Sequence, residues 1–325
     1  MAATDTGRLE NPNPHCTVRF CGLIIPPTVK KKMSATGHPL CILGLLLPLL
    51  LTDATSAAEL DLAPPVLDVP YGDNAAAGAY ASVNGIKLYY ETYGTGQPML
   101  QIHGNDLSIS SMGYQIAFFS PHYKVIVADS RGHGKSEIGP GRLTYEQMAE
   151  DLNALLENLK MRPAYVLGWS DGGIIGLLLA IRHPDKVGKL AVMGANLNPE
   201  GAYDWAYNWV VREDKRAVAM IAKGDTSQPW SVMRQHLDLL GKQPHIPVAD
   251  LAKVQAPTLV MAGDRDVIRD DHTLQIFHGI PKAHLAIFPG ATHMIPWEKH
   301  ELFNRTVKRF FSRPFTRPDT RDLFK

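Results

Sequence analysis

VLGWSDGGIIGLLLA, residues 166–180, is the stretch that decides the fold. A short apolar segment, AYVLGW (164–169), runs straight into Ser170, and an apolar run of helical length, GGIIGLLLAIRH (172–183), resumes at once. Gly168-Trp169-Ser170-Asp171-Gly172 fits the pattern G-x-S-x-G. In that pattern a strand turns into a helix so tightly that the serine is strained at the apex, and the flanking glycines admit the close backbone approach. The expected consequence is a hydroxyl pointing outward at the positive end of the following helix.

Working outward, further apolar, β-branched runs read as buried strands: PMLQIHG (98–104), YKVIVADS (123–130), KLAVMGAN (189–196), APTLVMAGD (256–264) and AHLAIFPG (283–290). YASVNGIKLYYETYG (80–94) reads as two more strands around Asn84-Gly85, a strong hairpin signal. Between strands lie helical periodicities, clearest in LTYEQMAEDLNALLENLK (143–160). There Thr144 and Gln147 can form a capping box, and Met148, Leu152, Leu155, Leu156 and Leu159 make one apolar stripe. Strands alternating with helices predict an α/β fold: an eight-stranded, mostly parallel sheet covered on both faces.

The alternation sets the domain organisation. The core is assigned to residues 79–196 and 249–312, with 58–78 an N-terminal extension and 313–325 a loosely held polar tail. Residues 197–248 break the pattern and hold Tyr203, Trp205, Tyr207, Trp209, Met220, Trp230 and Met233. Two readings of these side chains stand side by side: ordinary helical packing, or a small helical lid whose aromatic underside forms a substrate pocket. The pocket reading names Trp205, Trp209, Trp230 and Met233 from the insertion, and Trp169 and Asp171 from the elbow.

Composition bounds the rest. The chain has 325 residues, 45% hydrophobic and 20% charged, so it can bury a sizeable core. Thirty-three basic against 32 acidic residues argue against nucleic acid or an anionic membrane surface as the main partner. Near the start, Lys30, Lys31 and Lys32 precede LCILGLLLPLLL (40–51) and TDATSAAE, the three-part pattern of a secretory signal. A twelve-residue helix is about 18 Å long against roughly 30 Å of bilayer hydrocarbon, too short for a stable span. Residues 1–57 are therefore expected to be a cleaved leader, beginning at Met1 or at Met33, and the protein to be secreted or periplasmic. All three cysteines, Cys16, Cys21 and Cys41, would leave with the leader, which removes thiol nucleophiles and Cys-based metal sites. No cofactor is expected, since the sequence has neither clustered metal ligands nor a phosphate-binding glycine loop. Nothing in the sequence specifies an oligomeric state.

A serine hydroxyl is a poor nucleophile until a base takes its proton, and the base needs an acid to orient it. His293, in FPGATHMIPWE, lies on a loop directly after the final strand and is the best-placed base; His272 and His278 fall in a helix and His284 begins a strand. AGDRDVI offers two acids, Asp264 and Asp266, just beyond a strand. The oxyanion of a tetrahedral intermediate needs donors, for which the backbone N–H groups of Asp171 and of Asn105, in the loop after LQIHG, are the candidates. His103, on the same loop, is assigned to shaping it. Asp129 and Arg131 of DSRGHGKS (129–136) are assigned to a turn network, and Asn304-Arg305-Thr306 matches a glycosylation sequon.

Over residues 79–312 the motifs HGN, DSRGHGKS, GWSDGG, GDRD and GATH, in this order, resemble the α/β-hydrolase family, and GWSDGG is similar to its branch of biphenyl-hydrolase-like proteins and valacyclovir hydrolase. The resemblance implies an acid three residues after the glycine of AGDRD, which selects Asp266, and hence a Ser170–His293–Asp266 triad. It implies a hydrolase for a small carboxylic ester or lactone. A carbon–carbon bond hydrolase on the same triad is the alternative enzyme, and a non-catalytic ligand-binding protein on this scaffold the alternative of another class. Asp171 keeps two readings: a carboxylate favoured in a helix's first turn, or, as the branch resemblance suggests, a pocket group attracting a cationic part of the substrate.

Overall fold

The computed structural model describes residues 67–325. The leader, both start positions, the three cysteines and residues 58–66 of the N-terminal extension lie outside the described residues. Eight strands form one sheet: β1 (Gly78–Val83), β2 (Ile86–Tyr93), β3 (Pro98–Ile102), β4 (Lys124–Ala128), β5 (Ala164–Trp169), β6 (Val187–Met193), β7 (Thr258–Arg265) and β8 (Ala283–Thr292). Their order is β1-β2-β4-β3-β5-β6-β7-β8, with only the β1–β2 and β2–β4 pairs antiparallel. The expected eight-stranded, mostly parallel sheet is therefore what forms. At its antiparallel end Asn84 and Gly85 both take positive φ, 41° and 80°, as a two-residue hairpin turn matched to strand twist requires.

The helices are α1 (Gly113–Phe119), α2 (Tyr145–Asn158), α3 (Asp171–Arg182), α4 (Asp204–Ala222), α5 (Trp230–Lys242), α6 (Asp270–Gly279), α7 (Ile295–Glu298) and α8 (His300–Ser312). All but α4 and α5 cover the two faces, because successive strand side chains point to opposite sides. On β4, Ile126 and Ala128 join the core under α2, α3 and α6, while Val125 and Val127 join the core under α1, α7 and α8. At the start of α2 the Thr144 hydroxyl accepts from the Gln147 N–H at 3.1 Å, but the Gln147 side chain turns to Asp151, so only half of the capping box forms. Asp151 draws it away because it is the centre of a buried network, bound through both oxygens by the Arg131 guanidinium at 2.7 Å.

Two peripheral expectations change. The asparagine of the sequon is 1% exposed on α8, where its amide donates to the Tyr114 carbonyl and accepts from Gln115, so the folded chain has no room for a glycan there. The C-terminal segment is tied at several points: Phe315 stacks on His284 at 4.7 Å, the His284 Nε2 is bonded to the Thr316 carbonyl, and the Arg317 guanidinium donates to the Pro281 carbonyl at 3.2 Å. The described part of the N-terminal extension is held likewise: the buried Glu91 carboxylate accepts from the N–H groups of Gly72 and Asn74 and from the hydroxyls of Tyr89 and Tyr93.

Between β6 and β7 the chain leaves the sheet to form α4 and α5, which pack on each other through a small core of Val210, Ala217, Trp230, Met233 and Leu237. The neck of this insertion is closed by the Ile246 N–H donating to the Leu197 carbonyl, and its entry is pinned to the loop after β7 by Tyr203 donating to Val267. Among the described residues no helix is long and apolar enough to cross a membrane.

Candidate active site

The parallel strands β3, β5, β7 and β8 all end at one edge of the sheet, where open α/β sheets place their ligand crevices. Ser170 sits there at the turn from β5 to α3, with φ 57° and ψ −120°, a conformation that costs a non-glycine residue about 1–3 kcal/mol. The packing that holds it is visible at the flanking glycines. A Cβ on Gly168 would lie 2.0 Å from the Gly172 carbonyl oxygen, and one on Gly172 would lie 2.1 Å from that of Ile102.

His293 arrives from the end of β8, 123 residues later in the chain, and its Nε2 stands 2.9 Å from the Ser170 Oγ. Its Nδ1 is 2.6 Å from Asp266 Oδ1. With the Nδ1 proton donated to the carboxylate, Nε2 is left as the acceptor for the serine hydroxyl. The indole N–H of Trp169 donates to the His293 carbonyl at 2.9 Å, so the residue before the serine also fixes the histidine's backbone. Asp266 is buried and also accepts from the N–H groups of Gly263 and Ile268. Burial alone would raise its pKa, but the neighbouring His293 and these donors outweigh it and hold the carboxyl below its ordinary value. Burial would conversely depress His293; the charges of Asp266 and Asp171 and the bond to Asp266 win, and its pKa is raised.

Asp264, the other acid, is exposed and does different work. Its carboxylate accepts from the N–H groups of Gly290 and Ala291, in an irregularity where pairing passes from Gly263↔Phe288 to Arg265↔Thr292. Two extra residues of β8 are thereby absorbed just before His293.

The loop after β3 runs against the nucleophile: a Cβ on Gly104 would lie 3.2 Å from that of Ser170. His103 shapes this loop, its Nδ1 donating to the Gly104 carbonyl and its Nε2 accepting from the Ser130 N–H; burial pushes its pKa down to about 4, which keeps it neutral. Asn105 follows, and its side-chain amide donates to the Asp171 carboxylate at 2.8 Å. The Asp171 N–H lies in the first turn of α3, where N–H groups have no intrahelical partner. Its side chain is 4% exposed, and burial raises its pKa to about 6 against the opposing effect of Asn105 and Tyr145.

Above these groups the insertion roofs a cavity of about 530 Å³. Trp205, Trp209 and Met233 line it from above, Trp169 and Asp171 from below, so five of the six pocket residues named from the sequence meet there. Trp230 does not. It is buried between α4 and α5, its indole N–H donating to Asp225 at 2.6 Å, because it opens α5 on the side facing α4 rather than the sheet. Trp230→Phe is accordingly expected to lower stability by about 1 kcal/mol in thermal unfolding with KM unchanged. Trp205→Ala, at a residue 60% exposed on the cavity rim, should raise KM for bulky substrates with Tm unchanged. Tyr145, His236 and Arg265 also line the cavity and carried no sequence signal, each being one ordinary residue of a helix or strand end.

Comparison with known proteins agrees with this architecture. The family profile described as alpha/beta hydrolase fold matches residues 97–223. The chain is 28% identical over 280 residues to human Serine hydrolase BPHL, covering 76% of this chain and 90% of that one. It is 29% identical over 220 residues to a 2-hydroxy-6-oxononadienedioate/2-hydroxy-6-oxononatrienedioate hydrolase of Cupriavidus pinatubonensis, covering 58% and 76% of the two chains. Among solved structures, Est816, described as an N-acyl homoserine lactone degrading enzyme, superposes with a TM-score of 0.59 at 25% identity, covering 71% of this chain and all of the other. With the elbow, the strand order and these relatives in agreement, the chain has the α/β-hydrolase fold and resembles the BPHL hydrolases.

Proposed function

We propose that the protein hydrolyses a small, partly apolar carboxylic ester or lactone through an acyl-enzyme on Ser170. The observation that carries this reading is the continuous line of hydrogen bonds from Ser170 Oγ through His293 to Asp266 at the floor of an apolar cavity. Ser170 attacks the carbonyl carbon while His293 Nε2 takes its proton, and Asp266 stabilises the imidazolium. The oxyanion meets the N–H groups of Asp171 and Asn105. Collapse returns the proton to the departing alcohol, and a water activated by His293 then releases the acid. In a lactone the alcohol stays attached to the acyl chain.

The lactone-degrading relative supports the ester and lactone assignment; the dienedioate hydrolase supports carbon–carbon cleavage as the second reading. A panel of short esters, lactones and a vinylogous diketone, run with the full chain and with Ser170→Ala, separates them by which substrate class has the higher kcat/KM. A fluorophosphonate probe that leaves Ser170 unmodified would favour a binding protein instead. Export belongs to the same proposal, and N-terminal sequencing of the mature protein is expected to place cleavage near Ala57.

Asp171 supplies a selective test. Ionised above about pH 6, it can hold a cationic group of the substrate. Asp171→Asn is then expected to lower kcat/KM for amine-bearing esters on the order of tenfold more than for neutral ones, an excess that fades as the pH falls below about 6. Equal losses would assign the carboxylate to the helix end alone.

A further inference from the structure

We infer that His236, on the insertion helix α5, is a positioning residue that ties the lid to the oxyanion loop, so that the seated lid completes the oxyanion hole. The inference rests on the acyl-enzyme reading above and adds a residue to it that acts through Asn105 and Asp106 rather than on the substrate.

His236 is 5% exposed and joins three pieces of chain that are distant in sequence. Its ring stacks on His133, of the loop after β4, with centroids 4.0 Å apart and planes at 12°. Its Nε2 donates to the Gly132 carbonyl at 3.0 Å in that same loop. Its Nδ1 lies 3.2 Å from Asp106 Oδ1, in the loop after β3. Its own carbonyl oxygen accepts from the Asn105 side-chain amide at 3.2 Å, the amide that also binds Asp171. One lid residue therefore holds both members of the Asn105-Asp106 pair.

That pair needs holding. Asp106 has φ 53°, the left-handed region that a non-glycine residue enters only when its surroundings impose it. The Asn105 N–H assigned to the oxyanion belongs to the peptide one residue earlier, so relaxation at Asp106 swings that N–H away. The His133 platform is itself rigid, being buried and flanked by His103 at 5.3 Å. The lid is thus referenced to the β3 and β4 loops at a point that opens onto the cavity, where His236 and Asp106 are both wall residues. An oxyanion donor misplaced by about 1 Å costs on the order of 100-fold in rate.

The test uses the full chain and two single variants. His236→Phe keeps a ring on His133 and loses the ring nitrogens that face Gly132 and Asp106; Asp106→Ala removes one of these two partners from the opposite, partly exposed side. In each, kcat for a short activated ester is expected to fall about 10- to 100-fold with KM changed less than about threefold. Affinity for an alkylboronic acid, whose tetrahedral adduct places an oxygen in the hole, should fall by a similar factor. Fluorophosphonate labelling of Ser170 should still reach completion. The double variant should be no slower than the slower single one, because the two changes remove the same contact. Unchanged kcat and boronate affinity in both variants, a rise in KM alone, or losses that multiply in the double variant would each overturn the inference. If His236→Phe fails to fold, Asp106→Ala alone decides by the same readings. A wild-type chain that neither takes the probe nor turns over any ester overturns the acyl-enzyme reading itself, and is told apart from the other outcomes by needing no variant.

Discussion

Ser170→Ala is expected to lower kcat on the best ester by on the order of 10⁵- to 10⁶-fold, with KM changed severalfold at most and Tm essentially unchanged. The size follows from the geometry. Without Oγ the His293 Nε2 loses the only hydroxyl set 2.9 Å from it in the triad, and no covalent intermediate can form. The cavity, Asp171 and the oxyanion donors remain, so binding and a residual acceleration of about 10³-fold over water persist. Alanine is tolerated at the apex because the strained φ is imposed by the backbone packing at Gly168 and Gly172, which does not involve the hydroxyl. Steady-state kinetics beside a fluorophosphonate labelling gel checks both halves. Activity retained within tenfold would mean that the nucleophile lies elsewhere.

Asp266→Asn is expected to lower kcat by on the order of 10⁴-fold at neutral pH and to move the pH profile toward acid. Two effects combine. The asparagine amide can present a donor to His293 Nδ1, which favours the tautomer with the proton on Nε2, facing the serine with a hydrogen instead of a lone pair. The charge that raises the histidine's pKa also disappears, while the burial that lowers it remains. In the wild-type protein His293 must be neutral to act as base. Activity is therefore full at pH values above its raised pKa and lost as the pH falls through it, and the ascending limb of kcat/KM should lie above the ordinary imidazole value of about 6.5. In Asp266→Asn the residual activity should rise at a lower pH. A limb that stays in place would show that the carboxylate does not control His293.

The same geometry shows which features can be read before folding is known. The turn at Asn84-Gly85 and the elbow at Ser170 are legible because positive φ and close backbone approach restrict which residues can occupy a handful of adjacent positions. The strands are legible because each is a short apolar run bounded by turn residues, and a strand buried on both faces has to be apolar throughout. The insertion was recognisable as an interruption of this alternation. Its internal arrangement was not: Trp205 and Trp230 look alike in sequence, yet one rims the cavity and the other closes the α4–α5 core. The asparagine of the sequon satisfies a three-residue pattern, and α8 buries it all the same.

Taken by itself, the sequence determined the α/β architecture and the identity of the elbow, since both rest on periodicity and on backbone restrictions within about ten neighbouring residues. Tertiary structure alone decided what Asp264 does beside Asp266, where the two extra residues of β8 go, and that His236 of α5 reaches the loop beside the nucleophile. These depend on strand register and on how α5 lies over the sheet. Both are set by the packing of side chains distant in the chain, and such packing leaves no local pattern to read.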